Sequence, residues 1–307
     1  MQILRNLTTT PPDARSSVVA IGNFDGVHLG HHQIFETVRS LAQTFRTRSV
    51  VVTFEPHPLK VLRPDKAPPL ICTYEQKLEL IAACGIDFAV ILHFDLAFSQ
   101  TPYREFVEHY LVDALAVKHV VMGYLARFGK DRQGDARALA TIAPRYGFGV
   151  TEVGLFEADG RNVSSSAIRR ALQDGDVRAA RVMLGRCYSL GGTVVTGDGR
   201  GRQIGIPTAN LRCDNELIPR LGVYAAWTTV GEIRTRAVIN VGRRPTFDGL
   251  TITVEAHLLD FHGDLYGQRL EIAFVDRLRD EEKFDSVESL VSQIRRDIQR
   301  AQMVDWS

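Results

Sequence analysis

At 307 residues the chain is too long for one ordinary small domain and comfortable for two. Its composition, 45% hydrophobic and 24% charged, is that of an ordinary globular protein. Lysine plus arginine (37) nearly cancel aspartate plus glutamate (36), leaving a formal charge of +1. The basic excess that drives non-specific nucleic-acid binding is therefore missing, although local arginines can still receive a small anion.

The N-terminus, MQILRNLTTTPPDARSS, has no apolar run of signal-peptide type, and no 18-residue apolar stretch follows, so no membrane role is expected. Cys72, Cys84, Cys187 and Cys213 are widely spaced and form no CxxC pair. Free thiols in a reducing cytoplasm are the simplest expectation, rather than a disulfide framework or a zinc site. The oligomeric state is not legible.

In chain order, Ser17–Ile21 reads as a short strand, followed by a glycine-rich turn and a helical stretch over Gln33–Ala42. Ser49–Phe54 (SVVVTF) reads as a buried strand, Tyr74–Ala83 as a helix, Asp87–Leu92 as a strand, Tyr103–Leu115 as a helix and His119–Met122 as a strand. Strands separated by helices of this length predict a parallel, Rossmann-like sheet covered on both faces. Ser166–Leu184 reads as two short helices broken at Asp174-Gly175.

From about Thr193 the pattern changes to closely spaced strands: GTVVTG, GVYAAWTTV, RTRAVINVG, TITVEAHLLDF and RLEIAFVDRL. Strands without crossover helices predict an antiparallel barrel. Val287, Leu290, Ile294 and Ile298 then recur at helical spacing, so a C-terminal helix closes the second domain. The expected architecture is α/β plus β, with an N-terminal domain over 1–184 and a C-terminal domain over 185–307.

Two segments carry chemistry. Gly22-Asn23-Phe24-Asp25-Gly26-Val27-His28-Leu29-Gly30-His31 follows a strand and opens a helix, where backbone N–H groups and the helix dipole receive phosphate. Gly22, Gly26 and Gly30 permit backbone conformations and close approaches that a Cβ would block. His28 and His31 share a face at the helix start and can donate to phosphate oxygens. The other segment is Thr196-Gly197-Asp198-Gly199-Arg200-Gly201-Arg202-Gln203-Ile204-Gly205-Ile206-Pro207-Thr208-Ala209-Asn210. A glycine-rich turn folds its N–H groups around polyphosphate, and this one lacks the ending of a Walker A motif. Thr208 and Asn210 alternate onto one strand face and offer neutral oxygens suited to Mg²⁺. Glu255 and His257 point one way from their strand while Val254, Ala256 and Leu258 point the other, and a carboxylate so placed can accept a hydroxyl proton.

GNFDGVHLGH resembles the HxGH signature of nucleotidyltransferases in the form carried by prokaryotic FAD synthetases. Phe54-Glu55-Pro56-His57-Pro58, the Arg127–Asp135 loop and Val163-Ser164-Ser165-Ser166-Ala167-Ile168-Arg169 are similar to further segments of that family. The glycine-rich loop, Pro207-Thr208-Ala209-Asn210, Gly222-Val223-Tyr224, Asn240-Val241-Gly242 with Arg244-Pro245-Thr246-Phe247, and Val254-Glu255-Ala256-His257 come in the order seen in riboflavin kinases. Together they resemble the prokaryotic bifunctional riboflavin kinase/FMN adenylyltransferase family.

That resemblance implies an enzyme with ATP as co-substrate, Mg²⁺ as cofactor, and riboflavin, FMN and FAD as substrates and products. It implies nucleotide contacts from Gly22, Phe24, Asp25, Gly26, His28, Gly30, His31 and Arg127. Ser164, Ser165 and Ser166, with Arg169 in the first turn after them, would receive triphosphate. Gly197, Gly199, Arg202, Gly205, Pro207, Thr208 and Asn210 would bind the second ATP, with Thr208 and Asn210 on the metal. Asn23, Pro56, His57 and Pro58 would line the flavin, and Glu255, His28 and His31 would be catalytic.

One position departs from the family. Gly123-Tyr124-Leu125-Ala126 stands where the family reads Gly-x-(Asp/Asn)-Phe. Leu125 can neither donate nor accept a hydrogen bond, and losing one orienting group costs roughly 10²–10³ in rate. Ala126 in place of the aromatic predicts a gap in the pocket wall. Two rival readings follow: a monofunctional riboflavin kinase whose adenylyltransferase is impaired, and a flavin-binding regulator without catalysis. A nicotinate- or pantetheine-type nucleotidyl transferase shares the HxGH element but leaves the second half unexplained.

Overall fold

The computed structural model describes residues 1–7, 10–197, 201, 204–246 and 249–306, without side chains for 244–246 and 249–250. Gly199, Arg202 and Phe247 lie outside the described residues. Packing divides the chain into two compact units, Met1–Pro69 with Tyr74–Val163, and Leu70–Thr73 with Ser164–Ser307.

The first unit runs β1 (Gln2–Arg5), β2 (Val18–Ile21), α1 (Leu29–Thr44), β3 (Ser49–Glu55), α2 (Pro58–Leu62), α3 (Tyr74–Ala83) and β4 (Phe88–His93). It continues with α4 (Tyr103–Phe106), β5 (His119–Gly123), α5 (Ala136–Tyr146), β6 (Gly149–Val153) and the small hairpin β7 (Glu157–Ala158) and β8 (Arg161–Asn162). The large sheet has the order β1-β4-β3-β2-β5-β6. Every pairing in it is parallel, as the alternation of strands and helices predicts. All four residues of β2 are buried, as a central strand covered on both faces requires.

The helix expected over Tyr103–Leu115 is only one turn of α-helix before it widens into a π-helix over Val107–Ala114, which buries Val107 and Leu111. β1, α5 and β6 were not among the predicted elements. α5 is opened by Asp135, whose carboxylate accepts the N–H of Ala138, and closed by Gly147 in the left-handed region at φ 74°.

The second unit begins with α6 (Ser165–Asp174) and α7 (Val177–Leu184), separated by Gly175 at φ 82°. Then come β9 (Tyr188–Val195), β10 (Ala209–Cys213), β11 (Gly222–Val230), β12 (Ile233–Thr246), β13 (Gly249–Leu258), β14 (Arg269–Arg279) and α8 (Val287–Gln302). The six strands close into an antiparallel barrel in the order β10-β13-β12-β11-β14-β9. α7 packs on β14 and β9, so by packing the helix pair goes with the barrel, upstream of the change in composition at 184/185. Along β13, Val254, Ala256 and Leu258 are buried and Glu255 and His257 are half-buried, which is the predicted alternation.

α8 is fastened to the barrel by a buried ion pair. Arg279 at the end of β14 donates from Nε and Nη2 to both carboxylate oxygens of Asp297, at 2.9–3.0 Å, and Gln293 donates to the same carboxylate. Asp297 is 1% exposed, and a buried carboxylate persists only when its lone pairs are so satisfied.

Candidate functional sites

In the first unit the sheet order changes direction beside β2. The chain passes from β2 to β3 on one side, while β5 lies against the other side of β2. In open parallel sheets the crevice beyond the carboxyl ends at such a switch point receives ligands. The Gly22–His28 turn leaves β2, the Pro56-His57-Pro58 turn leaves β3, and the Tyr124–Asp135 loop leaves β5. Parallel strands place all three at the same edge of the sheet.

The turn after β2 needs unusual backbone. Phe24, Gly26 and Val27 have φ of 51°, 82° and 38°, and Gly26 is where the absent Cβ makes this cheapest. Phe24 is buried, with its ring edge-on to His31 at 5.2 Å and tilted on Phe35. Asp25 is also buried. His28 is the N-cap of α1 and His31 its third residue, and each ring Nδ1 accepts the other residue's backbone N–H at 3.3 Å. The rings stack with centroids 3.6 Å apart. Because Nδ1 accepts in both, the ring proton of each neutral imidazole is assigned to Nε2. Gly30 sits under this pair, where an added Cβ would come within 3.2 Å of the His28 ring.

The turn after β3 contains the cis peptide Glu55–Pro56. His57 caps α2 through Nδ1, which accepts the N–H of Leu59, and Pro58 is the first helical residue. The side chain of Asn23 approaches His57 Nε2 at 3.4 Å, so these two predicted flavin residues meet. After β5, Leu125 is 62% exposed, and the turn holding it is closed by the N–H of Ala126 donating to the Gly123 carbonyl. Ala126 packs on the core cluster that contains Phe128. Arg127 donates to the carbonyls of Tyr124 and Ala126 and lies 3.7 Å from the Asp135 carboxylate.

In the second unit, Ser164 is the N-cap of α6, its Oγ accepting the N–H of Ala167 at 3.2 Å. Ser165 is half-buried and Ser166 exposed. Arg169 is buried and is the fifth helical residue, one position beyond the first turn predicted for it.

The barrel brings Asn210, Glu255 and Asn240 into line, for Glu255 pairs with Asn210 across β10/β13 and with Asn240 across β12/β13. His257 Nδ1 lies 2.8 Å from the carbonyl of Pro207, the residue before Thr208. Gly197 and Gly201 each lie too close to their neighbours for a side chain. A Cβ on Gly197 would fall 2.1 Å from Asn210 Nδ2, and one on Gly201 3.2 Å from Thr208 Oγ1. Gly205, at φ 76°, has open space around it, and Pro207 and Thr208 are exposed. A cleft of about 600 Å³ is lined by Ile204 and, from α8, by Val287, Val291, Arg295 and Arg296 among others. No group of three His, Cys, Asp or Glu side chains among the described residues could hold a metal. None of the described helices is long and apolar enough to cross a membrane.

Three residues of the first site were not foreseen from sequence. Lys77 and Tyr74 on α3, and Thr53 on β3, contact Asn23 and His57 directly or through one another. Tyr74–Ala83 is legible as a helix, but a lysine in an amphipathic pattern reads as surface.

Residues 10–167 match the family model of FAD synthetase, and residues 184–304 match that of riboflavin kinase. The chain is 37% identical over 295 residues to the bifunctional riboflavin kinase/FMN adenylyltransferase of Escherichia coli K12, covering 96% of this chain and 94% of that one. It is 39% identical over 287 residues to the Listeria monocytogenes protein of the same name, covering 92% and 91%. A crystal structure described as a macrolide-efflux protein from Streptococcus pneumoniae superposes with a TM-score of 0.91 at 31% identity, covering 99% and 100% of the two chains.

Proposed function

The chain belongs to the bifunctional riboflavin kinase/FMN adenylyltransferase family, and from that premise we propose how its residues divide the two reactions. The enzyme phosphorylates riboflavin to FMN and adenylylates FMN to FAD, each at the expense of one ATP. The observation that carries the division is that each unit holds its own glycine-lined polar site inside the span of its own family match.

In the barrel unit, the riboflavin 5′-hydroxyl oxygen attacks the γ-phosphorus of ATP as the bond to ADP breaks. Glu255 takes up the hydroxyl proton. Thr208 and Asn210 fit a Mg²⁺ site shared with phosphate, because they offer neutral oxygens and Gly201 and Gly197 approach them closely. Thr208 and Asn210 would hold the ion, which would supply neutralisation of phosphate charge. Gly199, Arg202, Gly205 and Pro207 belong to the same glycine-rich segment of the sequence.

In the sheet unit, an FMN phosphate oxygen attacks the α-phosphorus of ATP and pyrophosphate leaves. The Nε2–H groups of His28 and His31, held by their mutual capping, donate to the phosphate oxygens as charge develops. Gly22, Phe24, Asp25, Gly26 and Gly30 shape the nucleotide turn, while Asn23, Pro56, His57 and Pro58 face the flavin. Arg127 supplies a further anion contact. Ser164, Ser165, Ser166 and Arg169 open α6 of the second unit, and their role in receiving triphosphate rests on the family resemblance alone.

A product time course from riboflavin, Mg²⁺ and ATP tests this. FMN should rise first and FAD with pyrophosphate should follow. FMN that never proceeds to FAD, even when supplied directly, overturns the second assignment, and absence of FMN overturns the first.

A further inference from the structure

We propose that Lys77 is a positioning residue for adenylyl transfer, acting with Thr53 and Tyr74 to hold the turn after β2 and the turn after β3 in one geometry. The proposal rests on assigning FMN adenylylation to the sheet unit.

α3 turns Lys77 and Ile81, one helical turn apart, toward the core. Lysine is almost never fully buried unless it is paired, yet Lys77 is 6% exposed. Its Nζ donates to Thr53 Oγ1 at 3.0 Å and to the Asn23 carbonyl at 3.4 Å. Thr53, itself wholly buried, donates from Oγ1 to the same carbonyl at 3.2 Å. That carbonyl immediately precedes Phe24, the first residue of the turn in the left-handed region. The ammonium and the hydroxyl thus fix the point at which the phosphate turn departs from regular backbone.

The same helix holds the neighbouring turn. Tyr74, three residues before Lys77, accepts the backbone N–H of His57 on its hydroxyl at 2.7 Å, and its ring lies 5.1 Å from Lys77 Nζ. Asn23 and His57 then meet through their side chains. The contacts close a ring, from Lys77 to Asn23, to His57, to Tyr74 and back along α3. An apolar side chain at 77 would fill the core equally well but could not hold a carbonyl. Three donors on a flexible stem can satisfy two acceptors at once, which suits lysine to this brace.

The test compares Lys77→Met with wild type in both reactions of the intact chain. Lys77→Met should raise the KM for FMN and lower kcat, so that kcat/KM for FAD formation falls about 10²-fold, the scale of a 1 Å misplacement. Riboflavin phosphorylation, in the other unit, should stay within about twofold, the scatter expected for an independent site. A merely structural role would reduce the amount of active enzyme while leaving the KM for FMN unchanged. Thr53→Val keeps the β-branched shape and removes one hydroxyl, and it should give the same KM and kcat pattern more weakly. It stands as the test alone should Lys77→Met fail to fold. Wild-type KM and kcat for FMN in the variant tested overturn the proposal, as does a parallel loss of both reactions. Absence of FAD from the wild-type enzyme overturns the underlying assignment of adenylylation, and the proposal with it.

Discussion

Glu255 on β13 lies directly opposite Asn210 on β10, with their Cα positions in register across an antiparallel ladder. Residues opposite one another on such a ladder point to the same face of the sheet. The proposed base and one proposed metal ligand are therefore held by strand pairing rather than by a loop. A site carried on paired strands is held more precisely than one carried on a loop.

Glu255→Gln should separate the two reactions. The amide keeps the shape but cannot accept the hydroxyl proton, so FMN formation should fall about 10²–10⁴-fold. Conversion of supplied FMN to FAD should be unchanged. Chromatography of flavins from parallel incubations with riboflavin and with FMN reads both, and wild-type phosphorylation would remove Glu255 from the mechanism.

Leu125→Asn should accelerate FAD formation. The turn around residue 125 is closed by backbone, and Leu125 is exposed, so the exchange leaves the fold in place. It supplies a polar group at the position where the resemblance to the family leads one to expect Asp or Asn. If that group orients phosphate, adenylylation should rise by roughly 10–10²-fold, part of the value of one stabilising donor. Riboflavin phosphorylation should not move. Pyrophosphate release from FMN and ATP is the measurement, and an unchanged rate shows that residue 125 does not touch the reaction.

The parallel sheet, the barrel and the helix after Ser286 were legible because hydrophobic period follows burial. SVVVTF carries apolar Val50, Val51, Val52 and Phe54 with no alternation where the strand is covered on both faces, and TVEAHL alternates where one face is covered. β1 was not legible, since QILR has four residues and its strand character comes from pairing with β4. The π-helix over Val107–Ala114 keeps a helical pattern and differs only in which carbonyl each N–H finds, which composition does not record. Within the sites, the histidine turn and Glu255 drew attention only because their motifs resemble those of the family, whereas nothing drew attention to Lys77. Its position on the buried face of α3 is decided by what packs over it, and nothing local to residues 74–83 marks it.

Removing the carboxylate of Asp297 should destabilise the barrel unit. The pair is nearly solvent-free, with side-chain exposures of 11% for Arg279 and 2% for Asp297. Asp297→Ala leaves the buried guanidinium to the more exposed Glu282 carboxylate 4.0 Å away, and losing the buried partner costs up to about 3–5 kcal/mol in such settings. Trp227 and Trp306 are the only two tryptophans, and both lie in this unit, with rings 4.9 Å apart. Urea unfolding followed by tryptophan fluorescence therefore reports this unit alone. A midpoint equal to wild type would show that the pair is replaceable by solvent.

His119 should make the sheet unit sensitive to acid. Its Nε2 lies 2.8 Å from Thr151 Oγ1, its ring stacks on Phe45, and burial pushes its pKa below the ordinary histidine value. The unfolded chain therefore takes up this proton first, beginning near pH about 6.5. The stability that depends on a neutral His119 is fully present above that pH. It is lost as the pH falls through the depressed folded value. His119→Gln cannot titrate, so its stability should be lower than wild type at about pH 8 and should approach wild type by about pH 5. Thermal midpoints of the two proteins across this range measure the gap, and a gap that stays constant or widens on acidification would show that His119 does not titrate with unfolding.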